Sequence, residues 1–229
     1  MKINDSNILL SDHYVFAINK PSGIMVEDDN WGNPSIMQIV KAYWKEKNEK
    51  GISFVQNVHR IDRPVSGALL FARKASSLRN LQTQFEQKKV KKIYLALTTQ
   101  KPEKEEGILF HFLIKDFLNK KALISEKPVP QSNAVRLKYK LLGSKNNLFC
   151  WEIELITGKY HQIRAQWSHI GCPVIGDIKY NSDIEYLPES IALHSYQLHF
   201  EHPKTKELVC IKAPLPKNKF WDNFEYLNL

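Results

Sequence analysis

The rhythm of apolar and polar positions changes several times along the chain, and each rhythm predicts a different element. Residues 14–18 (Tyr-Val-Phe-Ala-Ile) are a continuous apolar run closed by Asn19-Lys20-Pro21-Ser22-Gly23, which predicts a buried strand and a turn. Ile36, Ile39, Val40 and Tyr43 then recur at helical spacing. Asn33 and Pro34 just before them predict an N-cap and a first-turn proline, and residues 45–53 a solvated exit. A second apolar run, 68–72, predicts another buried strand. Ser76 or Ser77 is placed to cap a helix whose stripe is Leu78, Leu81 and Phe85. Residues 93–97 predict a further strand, and 99–106 a polar surface connection.

The period then becomes two. Val135, Leu137, Tyr139 and Leu141 alternate with Arg136, Lys138 and Lys140, while Phe149, Trp151, Ile153 and Leu155 alternate with Cys150, Glu152 and Glu154. With the turn-rich stretch 143–147 between them, they predict an antiparallel hairpin with one wet face, its opposite charges placed to pair across the strands. Two late strands are expected at 193–200 and 207–212, around the turn His202-Pro203-Lys204-Thr205. Strands outnumber helices and hairpins outnumber strand–helix alternation, so the expected class is α+β on a mainly antiparallel sheet. With no repeat, low-complexity tract or long linker, a single domain over 1–229 is expected.

Charge adds a partner to this picture. The chain carries 33 Lys+Arg against 24 Asp+Glu, a net +9, which suits a polyanion and suits equally a basic enzyme without one. No apolar run reaches the roughly 18 residues of a membrane span. The N-terminus has no basic region followed by an apolar run, and Cys150, Cys172 and Cys210 are scattered, so a reducing, cytoplasmic setting is expected. The eight histidines show no compact ligand motif (His161 and His169 are eight apart), so no metal is expected.

One segment concentrates chemistry: Asn57-Val58-His59-Arg60-Ile61-Asp62-Arg63-Pro64-Val65-Ser66-Gly67, a loop leading into an apolar strand. Arginines on both sides lower an aspartate's pKa by roughly one to three units, keeping it ionised. Such a carboxylate serves as nucleophile or base; a salt bridge pinning the loop fits the same residues.

The run His59-Arg60-Ile61-Asp62 with Ser66-Gly67 resembles the signature of the RluA-like family of RNA pseudouridine synthases. Asn19-Lys20-Pro21-Ser22-Gly23, Lys92-Ile93-Tyr94, Thr157-Gly158-Lys159-Tyr160-His161-Gln162-Ile163-Arg164, Gly171-Cys172-Pro173-Val174-Ile175-Gly176-Asp177 with Tyr180, and Leu193-His194 resemble further family segments in order. Ile61, Val65, Lys159 and Gln166 depart from that pattern, where Leu, Thr, Arg and often His are usual. The resemblance implies a bent sheet flanked by helices with a central cleft. It also implies conversion of uridine to pseudouridine in ribosomal or transfer RNA, without a cofactor. Asp62 is then the catalytic carboxylate, Tyr94 the ring that stacks on the base, and Arg164 the partner of Asp62. Arg60, Arg63, His59, Lys159 and His161 become contacts to RNA. The basic run Lys88-Lys89 and Lys91-Lys92 reads either as backbone contact or as a solvated helix end, as do Lys115, Lys120 and Lys121. A monomer is expected. The alternative is a catalytically silent RNA-binding or ribosome-assembly factor of the same fold.

Overall fold

The computed structural model describes residues 2–29, 31–47 and 54–229. Along the chain come β1 (Ile8–Ser11), β2 (Val15–Lys20), α1 (Ile36–Lys47), β3 (Gln56–Asn57), β4 (Ser66–Ala72), α2 (Ala75–Glu86) and β5 (Lys91–Thr98). They are followed by β6 (Glu106–Asp116), β7 (Lys121–Ser125), β8 (Asn133–Lys145), β9 (Leu148–Leu155), α3 (Gln162–His169), β10 (Leu193–Glu201) and β11 (Leu208–Lys212). This is the α+β class with a mostly antiparallel sheet that the pattern predicts. By contact the chain divides into two units, Met1–Lys91 with Ser195–Pro214, and Lys92–His194 with Leu215–Leu229.

In the first unit the strand order is β1-β2-β4-β10, with β3 on β4 and β11 on β10. The continuous apolar runs are explained by cover on both faces. One face of β2 and β4 (Val15, Ala17, Ala68, Leu70, Ala72) packs with Leu81 of α2, and with the partly buried Leu78 and Phe85. On the other face Phe16 meets Phe71 and the α1 rings of Tyr43 and Trp44, at 5.7 and 5.3 Å for the latter two. Each fully buried Phe or Leu here contributes about 1.5–3 kcal/mol. Gly67, at φ +113, starts β4 where a Cβ would overlap the Ser195 backbone, so only glycine lets β4 and β10 approach.

Both helices begin differently from expectation. The hydroxyl of Ser35, not Asn33, accepts from the Gln38 amide at 3.1 Å, while Asn33 is held by Asp29. Ser35 wins because it stands three residues before that amide. The buried face of α1 also includes Met37 and Trp44, with Ile39 and Tyr43 only half-buried. In α2 neither serine caps: Lys74 holds the N-cap place without a side-chain bond, and Ser77 is buried inside the helix. Arg73, tied through its amide to Tyr14 O at 2.9 Å and lying over the Trp44 ring, makes the turn from strand to helix immediate. Residues 48–53 of the expected helix exit lie outside the described residues.

In the second unit the order is β5-β9-β8-β6-β7. The β8–β9 hairpin forms as the alternation predicts: Lys138 faces Glu154 and Lys140 faces Glu152, and Lys138 Nζ lies 3.9 Å from Glu154. Its strands run further than expected, and the turn shrinks to Asn146-Asn147, both at positive φ as a two-residue hairpin turn requires. Strands β6 and β7 were not among the expected elements. The α3 helix is buried from Gln162 to Trp167, and Trp167 packs on Trp151 and Tyr139 at 5.1 and 5.6 Å. Trp151 in turn donates to Thr98 Oγ1 at 2.9 Å, so the helix rests on a fixed aromatic floor.

Candidate active site

In the first unit, the loop carrying Asp62 is tied down from the 21–24 turn. Gly23 N–H donates to Arg63 O, and Arg63 Nε donates back to Gly23 O, both at 2.9 Å. Lys20 is fully buried, and its Nζ donates to Pro21 O, Ile24 O and Arg63 O at 2.8, 2.8 and 3.2 Å. Burial pulls its pKa down to about 7, opposed by the Asp62 carboxylate. Three carbonyls accept from Nζ, and only an ammonium has three N–H groups to give them, so the bonding favours the charged form. The Val65 amide closes a turn onto Asp62 O at 3.0 Å. Asp62 itself is half-buried.

The other residues of this loop divide by role. Arg60 is exposed and pairs with Glu27 at 2.8 Å; Glu27 is held also by Asn57, and Arg63 too is exposed. The ring of His59 is half-buried: its Nε2 accepts from the Leu70 amide at 3.1 Å, leaving the proton on Nδ1, and it stacks on Phe85 at 5.0 Å. His59 therefore braces the loop against β4 and α2. Beside it lies an open pocket of about 430 Å³ lined by Glu27, Gln56, Asn57, His59 and Arg60.

In the second unit Tyr94 lies on β5, opposite Ile153, and is 7% exposed. Lys159 is exposed, and its amide donates to Gln162 Oε1. His161 takes the N-cap place of α3 with φ 51, and its Nδ1 lies 2.9 Å from Tyr180 Oη. Burial, reinforced by Arg164, lowers its pKa to about 3, so it is neutral. Arg164 is 5% exposed, and Nε and Nη2 donate to Asp177 at 2.7 and 2.8 Å, a bidentate pair. Asp177 is a residue to which the sequence gave no role of its own, although it closes the family-like segment 171–177.

Lys88, Lys89 and Lys91 are exposed but Lys92 is buried, so the basic run ends where β5 enters the interior. The histidines do gather at one place: His111, Glu126 and His169 bring ligand-type atoms within 4.8 Å of one another. A hydrogen-bond chain argues against a metal there. The Lys159 amide fixes Gln162 Oε1, so Gln162 Nε2 donates to Gln166 Oε1 and Gln166 Nε2 donates to His111 Nδ1. The proton of a neutral His111 then sits on Nε2, facing Glu126 at 3.6 Å, where a metal would need a lone pair. Gln166, a departure from the family pattern, is thus a link in this chain.

The fold has solved counterparts. Human RNA Pseudouridylate Synthase Domain Containing 4 superimposes with a TM-score of 0.78 at 21% identity, covering 97% of this chain and 93% of that one. A family model described as RNA pseudouridylate synthase matches residues 14–169. Ribosomal large subunit pseudouridine synthase C of Buchnera aphidicola subsp. Baizongia pistaciae is 32% identical over 224 residues, 93% of this chain and 68% of that protein. Uncharacterized RNA pseudouridine synthase YhcT of Bacillus subtilis is 30% identical over 210 residues, 92% of this chain and 68% of that protein. The chain belongs to the RNA pseudouridylate synthase family and is an isomerase of that kind. It spans about two thirds of the length of these curated relatives.

Proposed function

We propose that the protein isomerises particular uridines of ribosomal or transfer RNA, with Asp62 as the catalytic carboxylate and residues 1–229 acting as one catalytic domain. The ribosomal preference is drawn from relatives described as ribosomal large subunit synthases. The observation that carries the reading is the mounting of Asp62: a half-buried carboxylate on a loop pinned by the Lys20 ammonium and the reciprocal Gly23–Arg63 bonds. Such a mount holds a charged group in one place, which attack at a sugar carbon or removal of a sugar proton both require. The glycosidic carbon–nitrogen bond breaks, the uracil turns, and a carbon–carbon bond forms to the same sugar; nothing is imported, so no cofactor is needed. Tyr94 is the stacking ring and Arg164 the orienting partner of Asp62. Arg60, Arg63 and Lys159 hold phosphate from exposed positions, and His59 and His161 support the segments that present them. Flipping the uridine costs a few kcal/mol, and stacking on one ring contributes about 1–3 kcal/mol toward it. We place the protein in the cytoplasm as a monomer; no helix among the described residues is long and apolar enough to cross a membrane.

Pseudouridine mapping by carbodiimide-dependent reverse-transcription stops tests this, on total RNA from wild-type, deletion and Asp62→Asn cells. Sites lost in both altered strains establish the reaction and name the RNA. Sites lost on deletion but kept with Asp62→Asn would refute the role of Asp62. No lost site in either strain would favour the silent RNA-binding factor.

A further inference from the structure

We infer that Asp177 and Tyr180 are positioning residues that set the direction of the Arg164 guanidinium. This rests on the reading of Arg164 as the orienting partner of Asp62. The pair with Asp177 is side-on: Nε donates to Oδ2 at 2.7 Å and Nη2 to Oδ1 at 2.8 Å. Two parallel bonds on one edge fix the guanidinium plane and its rotation. Any further group can then be met only through Nη1 or the remaining Nη2 proton. The Tyr180 ring adds a second constraint, its centroid 5.0 Å from Cζ.

Both residues come from one rigid turn. Gly176 enters it at φ +84, where a Cβ would crowd Tyr186 and Ser190. The chain then forms a 3-10 turn, Ile178–Tyr180, and Asp177 O accepts from the amides of Tyr180 and Ser182 at 2.9 and 3.1 Å. Asp177 stands just before that turn and Tyr180 ends it, and both meet Arg164.

Tyr180 is itself locked. The Ala122 amide of β7 donates to Tyr180 Oη at 2.7 Å, and Oη also lies 2.9 Å from His161 Nδ1. His161 stands at the start of α3, the helix that carries Arg164. The constraint therefore closes on itself: helix, turn, strand, helix. Stability alone does not require this arrangement. A buried ion pair rarely outdoes well-packed apolar residues of similar volume, so its benefit is orientation.

The test is a double-mutant cycle on Asp177→Asn and Arg164→Lys, reading the single-turnover rate of pseudouridine formation at saturating RNA and, separately, RNA affinity. Asp177→Asn alone should slow the step by about 10–100-fold, the scale of a small misplacement, with affinity unchanged. In the Arg164→Lys background it should cost less than about 2-fold more, because the group it directs is already altered. An equal loss in both backgrounds, or a loss of affinity without a loss of rate, overturns the inference and leaves Arg164 standing. A wild-type rate in Arg164→Lys overturns the reading of Arg164, and the inference with it. Should Asp177→Asn fail to fold, the isosteric Tyr180→Phe enters the same cycle. It should cost about 3–10-fold in the wild-type background and nothing more beside Arg164→Lys; the additive result refutes the inference again.

Discussion

The Asp62 loop and the α3 segment both carry arginine, and they use it in opposite ways. Arg60 is 71% exposed at its side chain and leans on Glu27, itself well exposed. Arg164 is 5% exposed and clamped by Asp177 at 1%. A solvated guanidinium gives up little when it exchanges one carboxylate for a phosphate, so the loop arginines suit RNA contact. A buried one cannot leave its partner without stranding a charge, so Arg164 suits holding a geometry. One residue type is thus suited to binding in one unit and to positioning in the other, and burial makes the difference.

The sharpest way to break this comparison is to remove the buried member. Arg164→Ala should cost about 3–5 kcal/mol in urea unfolding, because Asp177 is left charged and unpaired inside the protein. A loss under 1 kcal/mol would mean that the pair is not held as described. Gly67→Ala attacks the base of the other segment: the strained φ and the overlap with Ser195 together should cost about 2–5 kcal/mol, read by the same unfolding curves.

Acid should act on the α3 side through His161. The unfolded chain protonates His161 below about pH 6.5, whereas the folded protein does so only near 3. The unfolded state therefore binds more protons between those values, and stability falls as pH falls through that window, by up to about 1.4 kcal/mol per pH unit. Unfolding of wild type and His161→Asn at a series of pH values checks it: the variant should show a shallower slope. The smallest effect is expected at the exposed arginine. Arg60→Ala should change stability by less than about 1 kcal/mol. It should also reduce the salt dependence of RNA affinity by about one unit of slope. An unchanged salt slope would leave Arg60 a partner of Glu27 alone.

How far the sequence could be read depended on how local the cause was. The β8–β9 hairpin was legible because one face is wet and the period shows. The β2 and β4 runs were legible because cover on both faces leaves them apolar throughout. Strand β6 was not, since Ile108 and Phe110 point apolar side chains to solvent, at 56% and 47% exposure, and erase the alternation. The caps failed for a similar reason: Asn33 and Ser76 are good capping residues, but Asp29 claims the first and Arg73 starts the helix ahead of the second.

By itself the sequence determined the types of the elements outside β6 and β7, the loop that concentrates His59, Arg60, Asp62 and Arg63, and the segment that brings Lys159, His161 and Arg164 to the start of a helix. These follow from spacing along the chain, which a sequence displays directly. Only the tertiary structure decided which charges pair, which histidine ring holds an amide rather than a ligand, and that Lys20 and Asp177 sit buried where they steady the site. Those outcomes depend on desolvation and on groups brought together by turns such as the one at Gly176, and no local period records them.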